Sequence, residues 1–238
     1  MNVTQRIVFS MMMVLLIGIL VLQHKLADNF SVMGIVLFMV ISSLVVGSLF
    51  APRPTRTHKI IGISIFFIFI GDIFLVFSKT IPGVPKDALL STVLGMLGFL
   101  CAYAMLIRLF TRHFSLGIKD MIMMIPVLAV LIPVLITLVP RIEGIFRYFA
   151  IFFGLFVGFM AWNALCTIHR KYFSKNVALR FAVAGFFMFL SDMGVAFVLF
   201  YPGMMTNAPW LENEIWITYV PAWTLVFVNL LEEKLLKE

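Results

Sequence analysis

The chain has 238 residues, of which 63% are hydrophobic and 12% charged, and a formal net charge of +7. Apolar runs of about 20 residues recur along its whole length, which excludes a soluble globular domain and predicts an integral membrane protein. The cationic surplus is read as topology and contact with anionic lipid, and a nucleic-acid partner is a poor explanation for it.

Eight transmembrane helices are predicted, near residues 6–24, 29–50, 59–79, 87–110, 120–139, 144–168, 177–201 and 211–232. Ahead of the first apolar run stands Arg6, as in a signal peptide, but no convincing small-x-small cleavage site follows and the helix is expected to stay. The third helix carries Asp72 and the seventh Asp192, each an acid inside an otherwise apolar run. In the fourth, Ser91, Gly95, Gly98 and Ala102 share one face on which another backbone can approach closely, and Gly154 and Gly158 do the same for the sixth. Pro126 and Pro133 interrupt the fifth helix and Pro221 the eighth, each freeing a carbonyl and favouring a kink; the kink at Pro221 is expected to open a cavity beside Trp223. Glu143 and Arg147 are spaced for a local ion pair, and Glu212 and Glu214 are expected as solvated loop acids, with a cationic headgroup as the alternative partner.

The basic residues are distributed unevenly between the two sides. One side would hold Arg6, Arg53, Arg56, Lys59, Arg108, Arg112, Lys119, Arg170, Lys171, Lys175, Arg180, Lys234 and Lys237; the other only Lys25, Lys79, Lys86, Arg141 and Arg147. The positive-inside rule then makes both termini cytoplasmic. The cysteines, Cys101 and Cys166, fall inside helices and are expected as free thiols. His24, His58, His113 and His169 lie at helix ends beside basic residues, where interfacial anchoring is expected and no metal site is.

The two acids stand in one repeated phrase. Phe66, Phe67, Phe69, Gly71, Asp72, Phe77, Pro82 and Gly83 are matched, 120 positions on, by Phe186, Phe187, Phe189, Ser191, Asp192, Phe197, Pro202 and Gly203. The register continues from Phe99, Ala102 and Tyr103 to Tyr219, Ala222 and Trp223. The expected architecture is therefore all-α: one transmembrane domain over 1–238, built as two parallel four-helix repeats of about 1–115 and about 116–238. Asp72 and Asp192 then lie at one depth, about 20 Å from the cytoplasmic boundary at about 1.5 Å per residue. Small residues around Asp192, with Ser191 among them, leave room for a substrate or for a packed helix. Tyr103, Tyr219 and Trp223 are expected as walls of a shared cavity.

A buried carboxylate costs several kcal/mol unless it is protonated, paired or wet, so each intramembrane Asp is a functional hypothesis. As a pair, one acid can protonate a substrate while the other stabilises a cation or activates water. The same pair would serve a proton-coupled transporter of a small solute or lipid. No nucleophile elbow, zinc-binding HExxH or phosphate loop is present in the sequence.

These residues, Gly71-Asp72, Ser191-Asp192 and Tyr219 with Ala222, resemble the YhhN family, which includes the lysoplasmalogenases; the likeness covers roughly residues 55 to 231. The resemblance implies hydrolysis of the vinyl-ether bond of a lysoplasmalogen to a fatty aldehyde and a glycerophospho-base. It implies Asp72 and Asp192 as catalytic pair, no metal or organic cofactor, a lysophospholipid partner, and a multi-pass position in a bacterial cytoplasmic membrane. The chain departs from the family pattern at Tyr103, where His is usual, and at Trp223, where Gln is usual. A divergent enzyme on another lipid, or a lipid-binding pseudo-enzyme, is the alternative that these departures raise.

Overall fold

A computed structural model describes residues 1–25, 30–81, 89–201, 203 and 210–236. Pro82, Gly83, Lys86, Pro202 and Lys237 lie outside the described residues, as do the side chains of His24, Lys25 and Lys79. The described chain forms eight long helices: α1 (Val3–Lys25), α2 (Phe30–Phe50), α3 (Arg56–Asp72), α4 (Leu89–Phe110), α5 (Ile118–Leu138), α6 (Ile145–Arg170), α7 (Lys175–Phe200) and α8 (Trp210–Leu230). Each overlaps a helix expected from the apolar runs.

Seven of these, α1 to α7, are long and apolar enough to cross a membrane, which makes the protein a multi-pass integral membrane protein. At 21 residues α8 equals α2 and α5 in length, but it carries Glu212, Asn213, Glu214, Pro221 and Asn229 and falls short in apolarity. Most of its residues are buried against α1, α2, α3 and α7, so its side chains answer to protein and not to lipid. Lipid-facing helices must be apolar themselves; an enclosed one is free to carry polar groups that its neighbours satisfy.

Helix starts and stops follow local chemistry. Asn2 and Gln5 cap α1 reciprocally, the Gln5 N–H donating to Asn2 Oδ1 (2.9 Å) and the Asn2 N–H to Gln5 Oε1 (2.8 Å). Thr55 caps α3, and its hydroxyl pairs with His58 Nδ1 at 2.6 Å. Gly144, at φ +60°, opens α6, and Lys171, also left-handed, ends it. Pro126 and Pro133 lie within α5, and α8 runs continuously through Pro221.

The small-residue stripe of α4 meets α3 at the backbone. A Cβ built on Gly98 would lie 2.7 Å from Gly71 N and 2.9 Å from Gly71 Cα, so only hydrogen fits between the two helices there. Ser64 of α3 donates to the Ala102 carbonyl of α4 at 3.1 Å, in a place where no water competes. Gly154 and Gly158 of α6 receive Leu131 and Leu135 of α5, as close packing requires. The expected Glu143–Arg147 pair does not form: Arg147 Nε turns back to the Ile142 carbonyl at 2.8 Å.

Candidate active site

Asp72 is the last residue of α3, and the chain continues as a π-helical turn, Ile73–Phe77, followed by a 3₁₀ turn, Ser78–Thr80. A π turn widens the helix and disturbs its hydrogen-bond ladder. Hydroxyls complete the accounting: Ser78 Oγ donates to the Phe74 carbonyl (2.6 Å) and Thr80 Oγ1 to the Phe77 carbonyl (2.7 Å). The matching stretch after Asp192 remains α-helical to Phe200, so the two acids sit in different backbone settings. Gly71 clears the approach to α4 beside Asp72, whereas Ser191 fills the matching place and donates to the Ile215 carbonyl of α8 at 3.3 Å.

Both acids are buried, Asp72 at 2% and Asp192 at 6% exposure, and both line a single cavity of about 440 Å³. They are near enough for their charges to interact. Tyr219 Oη donates to Asp72 Oδ2 at 2.7 Å. Asp192 Oδ2 is buried with no hydrogen-bond partner among the described residues. The rest of the wall is almost wholly apolar: Met33 and Leu37 from α2, Leu75, Met96 and Phe99, Leu135 and Leu138 from α5, Phe153 from α6, and Trp216. Ser191 and Tyr219 belong to this lining, as the sequence led us to expect.

Tyr103 and Trp223 do not line the cavity; this corrects the expectation that they form its walls and that a kink at Pro221 opens space beside Trp223. They are enclosed at 0% and 1% exposure, behind the acids, because Phe99 and Tyr219 occupy the face toward the cavity. Aromatics 120 positions apart in the sequence meet in pairs, Phe99 with Tyr219 at 6.2 Å between ring centres and Tyr103 with Trp223 at 6.4 Å with planes 17° apart.

Several polar groups read as surface features are interior. Glu212 stands in the first turn of α8 and lines the cavity, and Glu214 is half-buried with its carboxylate against Gly194, so neither is the solvated loop acid expected. His58 is buried, not interfacial: Nε2 must donate to the Glu232 carbonyl (2.8 Å), which leaves Nδ1 to accept from Thr55. His169 lies 3.3 Å from Asp120 Oδ1, and with Cys166 the three ligand atoms fall within 4.8 Å of one another. His169, expected as an interfacial anchor, thus stands beside an acid and a thiol; the Cys166-x-x-His169 spacing, one helical turn, was the overlooked signal. Arg170 Nη2 and Nε already occupy Asp120 Oδ1 at 2.7 and 2.9 Å, while Gly117 N–H and Ser115 Oγ donate to Oδ2. A cation at this place would have to share an oxygen with a guanidinium, so the cluster reads as a buried ion pair that ties α5 to α6. Cys101 and Cys166 are free thiols.

The helices and the carboxylate-lined apolar cavity define a multi-pass membrane protein with a buried acidic chamber. A family model described as YhhN family matches residues 5–229, and the chain belongs to that family, which includes the lysoplasmalogenases. No curated protein and no solved structure matches the chain.

Proposed function

We propose that the protein is a membrane lipid hydrolase of the lysoplasmalogenase type, with Asp72 and Asp192 as its catalytic pair. The observation that carries this reading is two buried carboxyl groups on the wall of one apolar cavity of about 440 Å³. That volume lies in the range of pockets that enclose a single small-molecule ligand, about 300–1,000 Å³. Aliphatic and aromatic walls suit a hydrocarbon chain better than a polar solute, which favours a lipid substrate over a transported metabolite. The lining includes Glu212 and no lysine or arginine among the described residues, a setting suited to the cationic base of a zwitterionic lysophospholipid.

The chemistry needs only what the site contains. A vinyl ether, R–CH=CH–O–R′, takes a proton on the carbon remote from oxygen and becomes an oxocarbenium ion. Water adds to the cationic carbon, and the hemiacetal collapses to the aldehyde R–CH₂–CHO and the alcohol HO–R′. One aspartate supplies the proton and the other stabilises the cation and receives the proton lost by water. In an apolar enclosure such charge stabilisation is stronger than in water.

The same proposal carries the topology: α8 as an eighth span, two repeats over about 1–115 and 116–238 within one domain, both termini cytoplasmic, and a bacterial cytoplasmic membrane as host. The paired meeting of Phe99 with Tyr219 and of Tyr103 with Trp223 supports an axis between the halves.

The test is aldehyde release from lysoplasmalogen by purified wild type, Asp72→Asn and Asp192→Asn. Activity in the wild type and a loss of about 100-fold or more in each variant is expected. Intact activity in either variant would remove the acid pair. An inactive wild type that instead moves protons across sealed liposomes when solute is supplied, with no chemical change, would replace hydrolysis by transport.

A further inference from the structure

Three polar atoms of the interior share one region and lack protein partners among the described residues: Asp192 Oδ2, Tyr103 Oη and Trp223 Nε1. Their residues are 6%, 0% and 1% exposed. Tyr103 and Trp223 are stacked on each other, and the Tyr103 hydroxyl lies beside Asp192 without a hydrogen bond of ordinary geometry to it. Other buried polar groups nearby are satisfied: Tyr219 by Asp72, Ser64 by Ala102, Ser191 by Ile215 and Thr224 by Val220. Native interiors leave few such atoms unpaired, and a donor, an acceptor and a hydroxyl can all be satisfied by one ordered water, which makes two to four bonds.

We infer that Asp192, Tyr103 and Trp223 form a water-holding subsite behind the lipid chamber, and that this water is the nucleophile of the hydrolysis. The inference rests on the proposed function for its role, and its existence is argued from the three unpartnered atoms and the Tyr103–Trp223 stack. The indole N–H has only a proton to give, so it occupies one lone pair of the water. The carboxylate and the phenol oxygen accept the two water protons, and the phenol's own proton turns to Asp192. One lone pair is left, which we assign to the oxocarbenium carbon; Asp192, a residue of the chamber wall, is the link between the two places. When the C–O bond forms, the water proton on Asp192 Oδ2 passes to that carboxylate. Asp72, held by Tyr219, is then the carbon acid, and collapse of the hemiacetal moves the remaining proton to the leaving alkoxide, so atoms and charge balance. Tyr103 and Trp223 are positioning residues for water.

The experiment pairs kinetics with a structure. Tyr103→Phe keeps the ring and removes one oxygen, whereas Trp223→Phe removes the indole N–H together with the five-membered ring that carries it. Both should lower kcat at least about tenfold with KM for lysoplasmalogen unchanged. An unchanged kcat, or an effect on KM alone, would overturn the water role. A structure at a resolution that shows waters should place one within hydrogen-bond reach of Asp192 Oδ2 and Trp223 Nε1 in the wild type and lose it in Trp223→Phe. If the wild type has no hydrolase activity, the proposed function fails and this second measurement still decides the subsite. Direct bonds among the three side chains, with no water between them, would overturn it.

Discussion

Tyr219 gives Asp72 a direct hydrogen bond, its Oη donating to Oδ2. Removing its hydroxyl leaves Asp72 buried with a lost donor, at a cost of about 1–3 kcal/mol. Tyr219→Phe should therefore lower the thermal unfolding temperature and reduce aldehyde release about tenfold or more, while Tyr148→Phe, on an exposed side chain, should change neither. Unfolding scans in detergent and the aldehyde assay check both. The acids themselves were legible in the sequence, because a charge in an apolar run is conspicuous and its repetition 120 residues later more so. The places of Tyr103 and Trp223 were not. Matched positions suggested a shared cavity wall, but which residues face the cavity depends on helix rotation, and Phe99 and Tyr219 take that face.

At the scale of elements, the junction between α3 and α4 sets the position of Asp72. Gly98 has backbone as its neighbour, at 2.7 Å from a built Cβ, and backbone cannot yield as a flexible side chain can. Gly98→Ala should separate the helices, cost about 1–3 kcal/mol and lower activity with it. The control is Gly18→Ala in α1, whose Cβ would meet nothing within 4 Å; it should leave the unfolding temperature unchanged or slightly raised. The stripe of small residues was readable, since its spacing of three and four is a property of sequence. The π-helical turn after Asp72 was not readable, for the matched stretch after Asp192 has a similar phrase and stays α-helical. The Asp120–Arg170 pair escaped for another reason: its members are fifty positions apart and each looks like an ordinary charge at a helix end. Long-range pairing of that kind is a product of packing.

Across the whole molecule, the two ends of the chain are clasped together. Arg180 of α7 and Gln5 of α1 both donate to Glu232 Oε2, at 2.5 and 3.1 Å, and His58 holds the Glu232 carbonyl. The tail adds a bridge of Leu236 to Phe173 and a Ser174 N–H bond to the Leu235 carbonyl (3.1 Å). Partial burial raises the Glu232 carboxyl, but the bonds from Arg180 and Gln5 outweigh it and hold the group below the usual glutamate value. A depressed folded-state pKa means stability that is complete above the unfolded value of about 4.3 and fades as pH falls through the folded one. Thermal unfolding temperature should therefore drop as the medium is acidified below about pH 4, and the drop should be smaller in Glu232→Gln.

The clasp and the inter-helix ion pair hold a frame whose purpose, in this account, is to keep two acids on one lipid-sized chamber. Carbon protonation is the first step of the proposed hydrolysis, and deuterium reports it directly. Hydrolysis of lysoplasmalogen in D₂O, with the aldehyde trapped as it forms and read by mass spectrometry, should give one deuterium on the carbon next to the carbonyl and about 100-fold less product from Asp72→Asn or Asp192→Asn. Aldehyde formed without that carbon-bound deuterium, or formed undiminished by either variant, would contradict the account.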